Sequence, residues 1–194
     1  MPTDNDILNF IFELGQLRHI KNAGHRLIGV DHPYSVAEHN LRAAQIAFIL
    51  AKMENYKNPY EVCTMTVFHD MEECRTGDFN KVMNRYITGD KLGVIQDQTE
   101  KLEAIGKDIA HLWKQHEEHT TQAGIISKDA DLLEQAVMAK ELVEKGYAYA
   151  QDWIKNTGMK LQTASAKQLH QALQKSDSNA WWQGLKKHTD IPKK

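Results

Sequence analysis

His69 and Asp70 stand side by side near the end of an apolar run, with a distant histidine, His39, before them and a distant aspartate, Asp131, after them. Two neutral imidazoles and two carboxylates make a mixed nitrogen and oxygen donor set that suits a first-row divalent ion. Water on such an ion becomes a usable nucleophile at neutral pH. The expected chemistry is hydrolytic, provided that elements far apart in the chain bring these four side chains together.

Taken singly, each of these residues has an ordinary use. His39 and His69 can be satisfied histidines of a helix, Asp70 can cap or pair with a lysine, and Asp131 or its neighbour Asp129 can favour a helix N-terminus through the dipole. What argues for a site is their joint occurrence with Glu73 and Asp78 at fixed offsets from His69-Asp70.

The elements that must position them read as helices. Alternating apolar and polar runs are almost absent, prolines are confined to Pro2, Pro33, Pro59 and Pro192, and apolar residues recur at helical spacing, so the fold class is all-α. A first helix is predicted over about residues 4–17, followed by an irregular connection over 18–33 whose length suits a functional loop. Ser35 and Glu38 form a capping box that starts the second helix and places His39 in its first turns. Ala43, Ile46 and Leu50 continue the row of His39, and apolar residues on other faces bury this helix on most sides.

A third helix is predicted from Pro59, whose ring suits a first turn, to about Cys74. Val62, Thr66, His69 and Glu73 share one stripe of it, so His69, Asp70 and Glu73 project toward one patch, from which Glu73 can manage a proton. Glu72 points about a third of a turn away, toward a structural or solvated position. The sequence Arg75-Thr76-Gly77-Asp78 then breaks the helix and carries Asp78 back across its end. Residues 89–121 predict one or two surface helices. Ser127 is the expected cap of the next helix, with Ile126, Ala130, Leu133 and Val137 as its core row. Asp131 lies on an adjacent face, where a carboxylate is costly unless paired or metal-bound. The last predicted helix, about residues 164–187, carries Trp181-Trp182 and uses them for core packing, or one of them for a partner chain.

Composition narrows the field. A chain of 194 residues with 41% hydrophobic content suits one domain over 1–194, with a core over about 15–145 and a helical extension over about 146–194. A formal net charge of -2 with scattered Lys and Arg offers no field for a nucleic-acid polymer. Cys63 and Cys74 form no CxxC motif and read as buried thiols of a reducing compartment. Met1 to Asp6 lacks the basic end of a secretory signal, and the longest apolar stretch, residues 43–51, is far short of the ~20 residues that cross a bilayer. A cytoplasmic protein without a membrane partner is expected. His111, His116 and His119 form a second histidine cluster, but not at the HExxH spacing; a solvated face is the expected use and a second ion the alternative.

Ser35-Val36-Ala37-Glu38-His39, then Phe68-His69-Asp70-Met71-Glu72-Glu73 with Thr76-Gly77-Asp78, then Lys128-Asp129-Ala130-Asp131, resemble in order the motifs of HD-domain metal-dependent phosphohydrolases. More narrowly they resemble the 5'-deoxynucleotidase branch, over roughly residues 15–141, and Gly24, Gly29-Val30 and Pro33 also sit where that branch has them. The resemblance implies an HD-domain helical bundle in which His39, His69, Asp70 and Asp131, rather than Asp129, bind one divalent transition metal ion such as cobalt or manganese. It implies a catalytic role for Glu73, a contact between Asp78 and the nucleoside sugar, and a homodimer. The implied reaction is hydrolysis of (deoxy)nucleoside 5'-monophosphates to nucleoside and phosphate. The alternatives are another nucleotide or phosphodiester substrate on the same scaffold, and a non-catalytic nucleotide-binding HD module.

The chain departs from that branch in one stretch, His19 to Arg26. There a histidine replaces the usual tryptophan, and the position of the usual arginine is occupied by Asn22 or shifted. Phosphate contact then passes to Arg26, Lys21 or Arg18, with Arg26 favoured for its forked donors.

Overall fold

A computed structural model describes residues 1–185. Thr3 and Asp6 cap each other at the start of α1 (Asp4–Leu14), which tightens into a 3-10 turn over Gly15–Arg18 instead of continuing as α-helix to Leu17. The predicted loop contains one helical turn, α2 (Ala23–Arg26), and is pinned by a single antiparallel bridge between Lys21 and Ser35. The predicted capping box of Ser35 and Glu38 is present and opens α3 (Val36–Met53).

The helix that begins at Pro59 is shorter than its sequence pattern suggests. α4 (Pro59–Val67) stops before His69, and α5 (Glu73–Thr76) follows after a run of tight turns. The physical reason is local: the His69 ring takes the Thr66 carbonyl at 2.7 Å, and the backbone around it closes i to i−3 bonds, Met71 to Phe68 and Glu73 to Asp70. His69 and Asp70 are therefore carried by a tightened corner, not by a regular helix surface.

The remaining helices are α6 (Lys91–Thr99), α7 (Glu103–Glu118), α8 (Gln122–Glu144), α9 (Gln151–Gly158), α10 (Ala164–Lys175) and α11 (Ala180–Gln183). No strand is formed among the described residues. α8 starts five residues before the expected cap: the Thr121 hydroxyl accepts from the Gly124 amide, whereas Ser127 lies fully buried inside the helix. A Cβ on Gly124 would stand 2.2 Å from the Gln115 carbonyl oxygen, so glycine alone permits this close approach of α8 to the last turns of α7.

α8 packs against α3, α4, α7, α9 and α10. Leu50, Val62, Met65, Ile126 and Leu133 form the buried contact of α3, α4 and α8, while Phe10, Met71, Ile95, Leu102, Ile109 and Trp113 form a second cluster around the His69 corner. Ile126, Ala130 and Leu133 are buried as expected; Val137 is only half-buried and Met138 takes its place, because the helix turns that face toward α9. Asp129, the near neighbour of Asp131, points the other way and accepts from the Gln162 and Thr163 amides at 2.6 to 3.0 Å and from the Thr163 hydroxyl at 2.7 Å. It thereby ties the start of α10 to the central helix. Asp129→Ala should lower unfolding free energy by about 3 kcal/mol, since the Gln162 and Thr163 amides and the Thr163 hydroxyl all lose a charged acceptor. Urea unfolding at neutral pH measures this, and an unchanged midpoint would rule out the tie.

The predicted last helix is broken after Lys175 by extended backbone at Ser176, and its end beyond residue 185 lies outside the described residues. Trp181 is 75% exposed and does not pack in the core. Cys63 and Cys74 are free and half-buried instead of fully buried. Among the described residues no helix is long and apolar enough to cross a membrane.

Candidate metal centre and adjoining cleft

The first turns of α3, the corner after α4 and the middle of α8 meet at His39, His69, Asp70 and Asp131. His39 Nε2 lies 3.8 Å from Asp70 Oδ2 and 3.3 Å from Asp131 Oδ1; His69 Nε2 lies 3.0 Å and 3.9 Å from the same two atoms. The two rings stand 5.3 Å apart. All four expected ligands are thus brought to one point, and all but the half-buried Asp70 are buried.

The donor set fits a metal ion because the far nitrogens of both rings are already committed. His69 Nδ1 faces the Thr66 carbonyl, which only accepts, so Nδ1 carries the proton and the lone pair is on Nε2, which is buried without a hydrogen-bond partner. His39 Nδ1 faces the Glu134 carboxylate, and Arg42 in turn holds Glu134 and Glu141 at 2.6 to 2.8 Å. Asn40, with its amide nitrogen turned toward its acceptors, donates to Val36 O and to Asp70 Oδ2, each at 3.1 Å. Lys128 Nζ at 2.8 Å and Gln135 Nε2 at 2.7 Å hold the two oxygens of Asp131.

Charge is distributed accordingly. Burial disfavours a charged His39, yet the Asp131 and Glu134 carboxylates outweigh it and hold the imidazole well above its ordinary value. Burial likewise opposes ionisation of Asp131, and Lys128 with the two imidazoles overrides it, keeping this carboxyl well below the usual range. Glu73 goes the opposite way: burial first, then the Asp70, Asp78 and Glu72 carboxylates, push it up to about 10. A carboxyl that holds its proton at neutral pH beside the ionised Asp70 is suited to proton transfer.

Asp78 comes back to the site as expected, and its Oδ2 accepts from the Ala23 amide at 2.6 Å, which ties α2 to the segment after α5. It borders two depressions. One, of about 290 Å³, is lined by Gly24, His25, Gln135, Met138 and Trp153 as well as Asp78. The other adds Lys21 and Arg26. Gln135 connects this cleft to the Asp131 carboxylate. Arg18 lies apart from both depressions and bonds His19 at 3.1 Å. His25 is fully buried against Trp153, with ring centroids 5.6 Å apart, and burial pushes it down to about 4, so it is a neutral flat wall of the cleft.

Of the two positions open to Glu72, structural or solvated, the structure takes the first: the side chain is fully buried, accepts from Trp113 Nε1 at 3.0 Å and pairs with Lys91 at 2.7 Å. One sequence-based expectation is corrected here. His116 does not lie on a solvated face; it is fully buried, its ring 4.7 Å from that of His69, while His119 ends α7 on the exposed side. The amphipathic pattern of α7 hid this, because α8 covers one polar position of that helix as well as its apolar stripe. Glu134, Lys128, Arg42, Asn40 and Gln135 were also missed. The one available signal was the run of charged and polar residues at helical spacing from Asp131 along α8.

The helical fold and the histidine-aspartate centre define the class as that of the HD phosphohydrolases. The HD domain family model matches residues 14–174, and the chain belongs to that family. Curated relatives include the 5'-deoxynucleotidase HDDC2 of Dictyostelium discoideum, 28% identical over 71% of this chain and 77% of its own, and the human protein of the same name, 25% identical over 70% and 67%. Among solved structures, that of the structural-genomics target APC5600 is 31% identical and superposes with a TM-score of 0.79 over 92% of this chain and 99% of its own. The cyanophage S-2L HD phosphohydrolase DatZ, bound to dA and one catalytic zinc ion, shares the fold at 18% identity, with a TM-score of 0.53 over 85% of this chain and 96% of its own.

Proposed function

We propose that His39, His69, Asp70 and Asp131 hold one divalent transition metal ion, and that the protein is a phosphomonoesterase for nucleoside 5'-monophosphates, deoxy forms foremost. The observation that carries this reading is the convergence of four ligand atoms from three separated segments beside a cleft edged by Asp78. The relatives named 5'-deoxynucleotidase support the substrate class.

When bound, a dication there supplies Lewis acidity toward a phosphoryl oxygen and toward water. The chain's own groups do the rest. Glu73 holds a proton next to Asp70 and can hand it to the departing 5'-oxygen of the nucleoside. Asp78, fixed by the Ala23 amide, is the proposed acceptor of a sugar hydroxyl, with the flat His25 and Trp153 rings forming the wall on which a base can lie. Arg26 and Lys21 face the Asp78 side of the cleft as candidate phosphate contacts, whereas Arg18 is the weakest of the three expected cations because it borders neither depression. Lys128 joins them as a cation in direct contact with a proposed metal ligand. The same reading carries the homodimer that the resemblance implies and the cytoplasmic location expected from the sequence.

The test is phosphate release from a panel of nucleotides with added cobalt or manganese. Release confined to 5'-monophosphates is the expected result. Turnover of 3'-phosphates, polyphosphates or phosphodiesters instead would overturn the substrate class, and metal binding without any turnover would leave a nucleotide-binding module.

A further inference from the structure

We infer that His116 is a third imidazole ligand of the same ion, so that one cation is held by His39, His69, His116, Asp70 and Asp131. The inference rests on the metal centre proposed above and goes beyond it, because neither the HD motif nor the four-residue ligand set includes a residue of α7.

The argument starts from a chain of hydrogen bonds. The Thr66 hydroxyl donates to the Val62 carbonyl at 2.9 Å, so its oxygen must accept from Ser127 Oγ at 2.7 Å. Ser127 has then spent its only proton, and it must accept from His116 Nδ1, also at 2.7 Å. The proton of His116 is therefore on Nδ1 and the lone pair on Nε2. That Nε2 atom is buried and has no hydrogen-bond partner among the described residues. Ligand atoms of His69, His116 and Asp131 lie within 4.8 Å of one another, as do those of His39, His69 and Asp70. A buried nitrogen lone pair with nothing to accept from is costly, and a cation at the His69 position satisfies it.

Both triads share His69, whose Nδ1 is committed to Thr66, so its one remaining lone pair, on Nε2, can serve only one ion. The two triads therefore describe one five-residue centre and not two separate ions. Two features of the chain serve this position. Gly124 permits the close approach of α8 to the Gln115 turn, and Ser127 holds the ring edge. A third imidazole moves the donor set toward nitrogen, which favours cobalt, nickel and zinc over manganese and magnesium.

The test uses the full chain loaded with one equivalent of cobalt(II) and observed by proton NMR in water. Each ligating imidazole contributes one exchangeable, strongly shifted ring N–H signal, so three are expected, and His116→Gln should remove one of them and weaken cobalt binding about tenfold or more relative to manganese. Ser127→Ala, which keeps the ring but removes the acceptor of its N–H, should weaken cobalt less and speed exchange of the same signal. Two shifted signals in the unaltered protein with one cobalt bound would overturn the role of His116 and leave the four-residue centre intact. A chain that binds no cobalt would overturn the centre itself together with its fifth ligand.

Discussion

Asp131→Asn should strip the chain of its ion and reduce phosphate release from a 5'-monophosphate by roughly a thousandfold or more, because the site loses both a ligand and the charge that holds the imidazoles around the cation. Asparagine keeps the volume of the side chain and one oxygen for Lys128 or Gln135, which lie 2.8 and 2.7 Å from the two carboxylate oxygens, so the fold should survive. The loss of charge is the larger perturbation. His39 Nε2 is 3.3 Å from this carboxylate, and the half-buried Lys128 is left beside a neutral group. Metal content per chain by elemental analysis and phosphate release by colorimetry are the two measurements. A variant that retains a full equivalent of cobalt would remove Asp131 from the ligand set, whatever its activity. A variant that retains turnover without metal would remove the metal from the mechanism.

Glu73→Gln should have the second-largest effect and a different signature. Glu73 lies among carboxylates, not lone-pair nitrogens, and is outside both groups of side chains that could hold an ion, so metal content should stay at the level of the unaltered protein. Turnover should fall about a hundredfold to ten-thousandfold, the usual range for losing a positioned acid or base, mainly in kcat. Glutamine preserves shape and hydrogen bonding but cannot release a proton. Two controls sharpen this reading. Glu73→Asp, which keeps the carboxyl on a shorter arm, should recover part of the rate, whereas Asp78→Asn should raise KM more than it lowers kcat. Equal turnover of Glu73→Gln and the unaltered protein would leave proton transfer to another group.

Much of the centre was legible as sequence because its parts are local motifs with a physical cause. Ser35 and Glu38 can only make one kind of helix start, and that start fixes His39 in the first turns of α3. His69-Asp70 with Glu73 and Asp78 form a short segment whose offsets survive even though the helix expected to carry them ends at Val67. The termination was not legible, since it depends on the His69 ring capturing the Thr66 carbonyl, a bond that periodicity cannot register. The start of α8 was misplaced for a related reason: Thr121 and Ser127 are both chemically able caps, and only the chain direction after the left-handed His119 selects the first.

The sequence by itself determined the helical class, the types of the candidate ligands and the order in which they occur along the chain, because these follow from side-chain chemistry and from spacing within single elements. Tertiary structure alone decided what surrounds the ligands. Lys128 and Gln135 on Asp131, Glu134 and Arg42 behind His39, and His116 beside His69 join residues from different helices or from helix faces whose burial depends on a neighbour. A polar residue at helical spacing reads the same whether water or another helix covers it. The approach of α8 to α7 across Gly124 is what makes His116 a buried neighbour of His69 and not the surface residue that its helix pattern suggests.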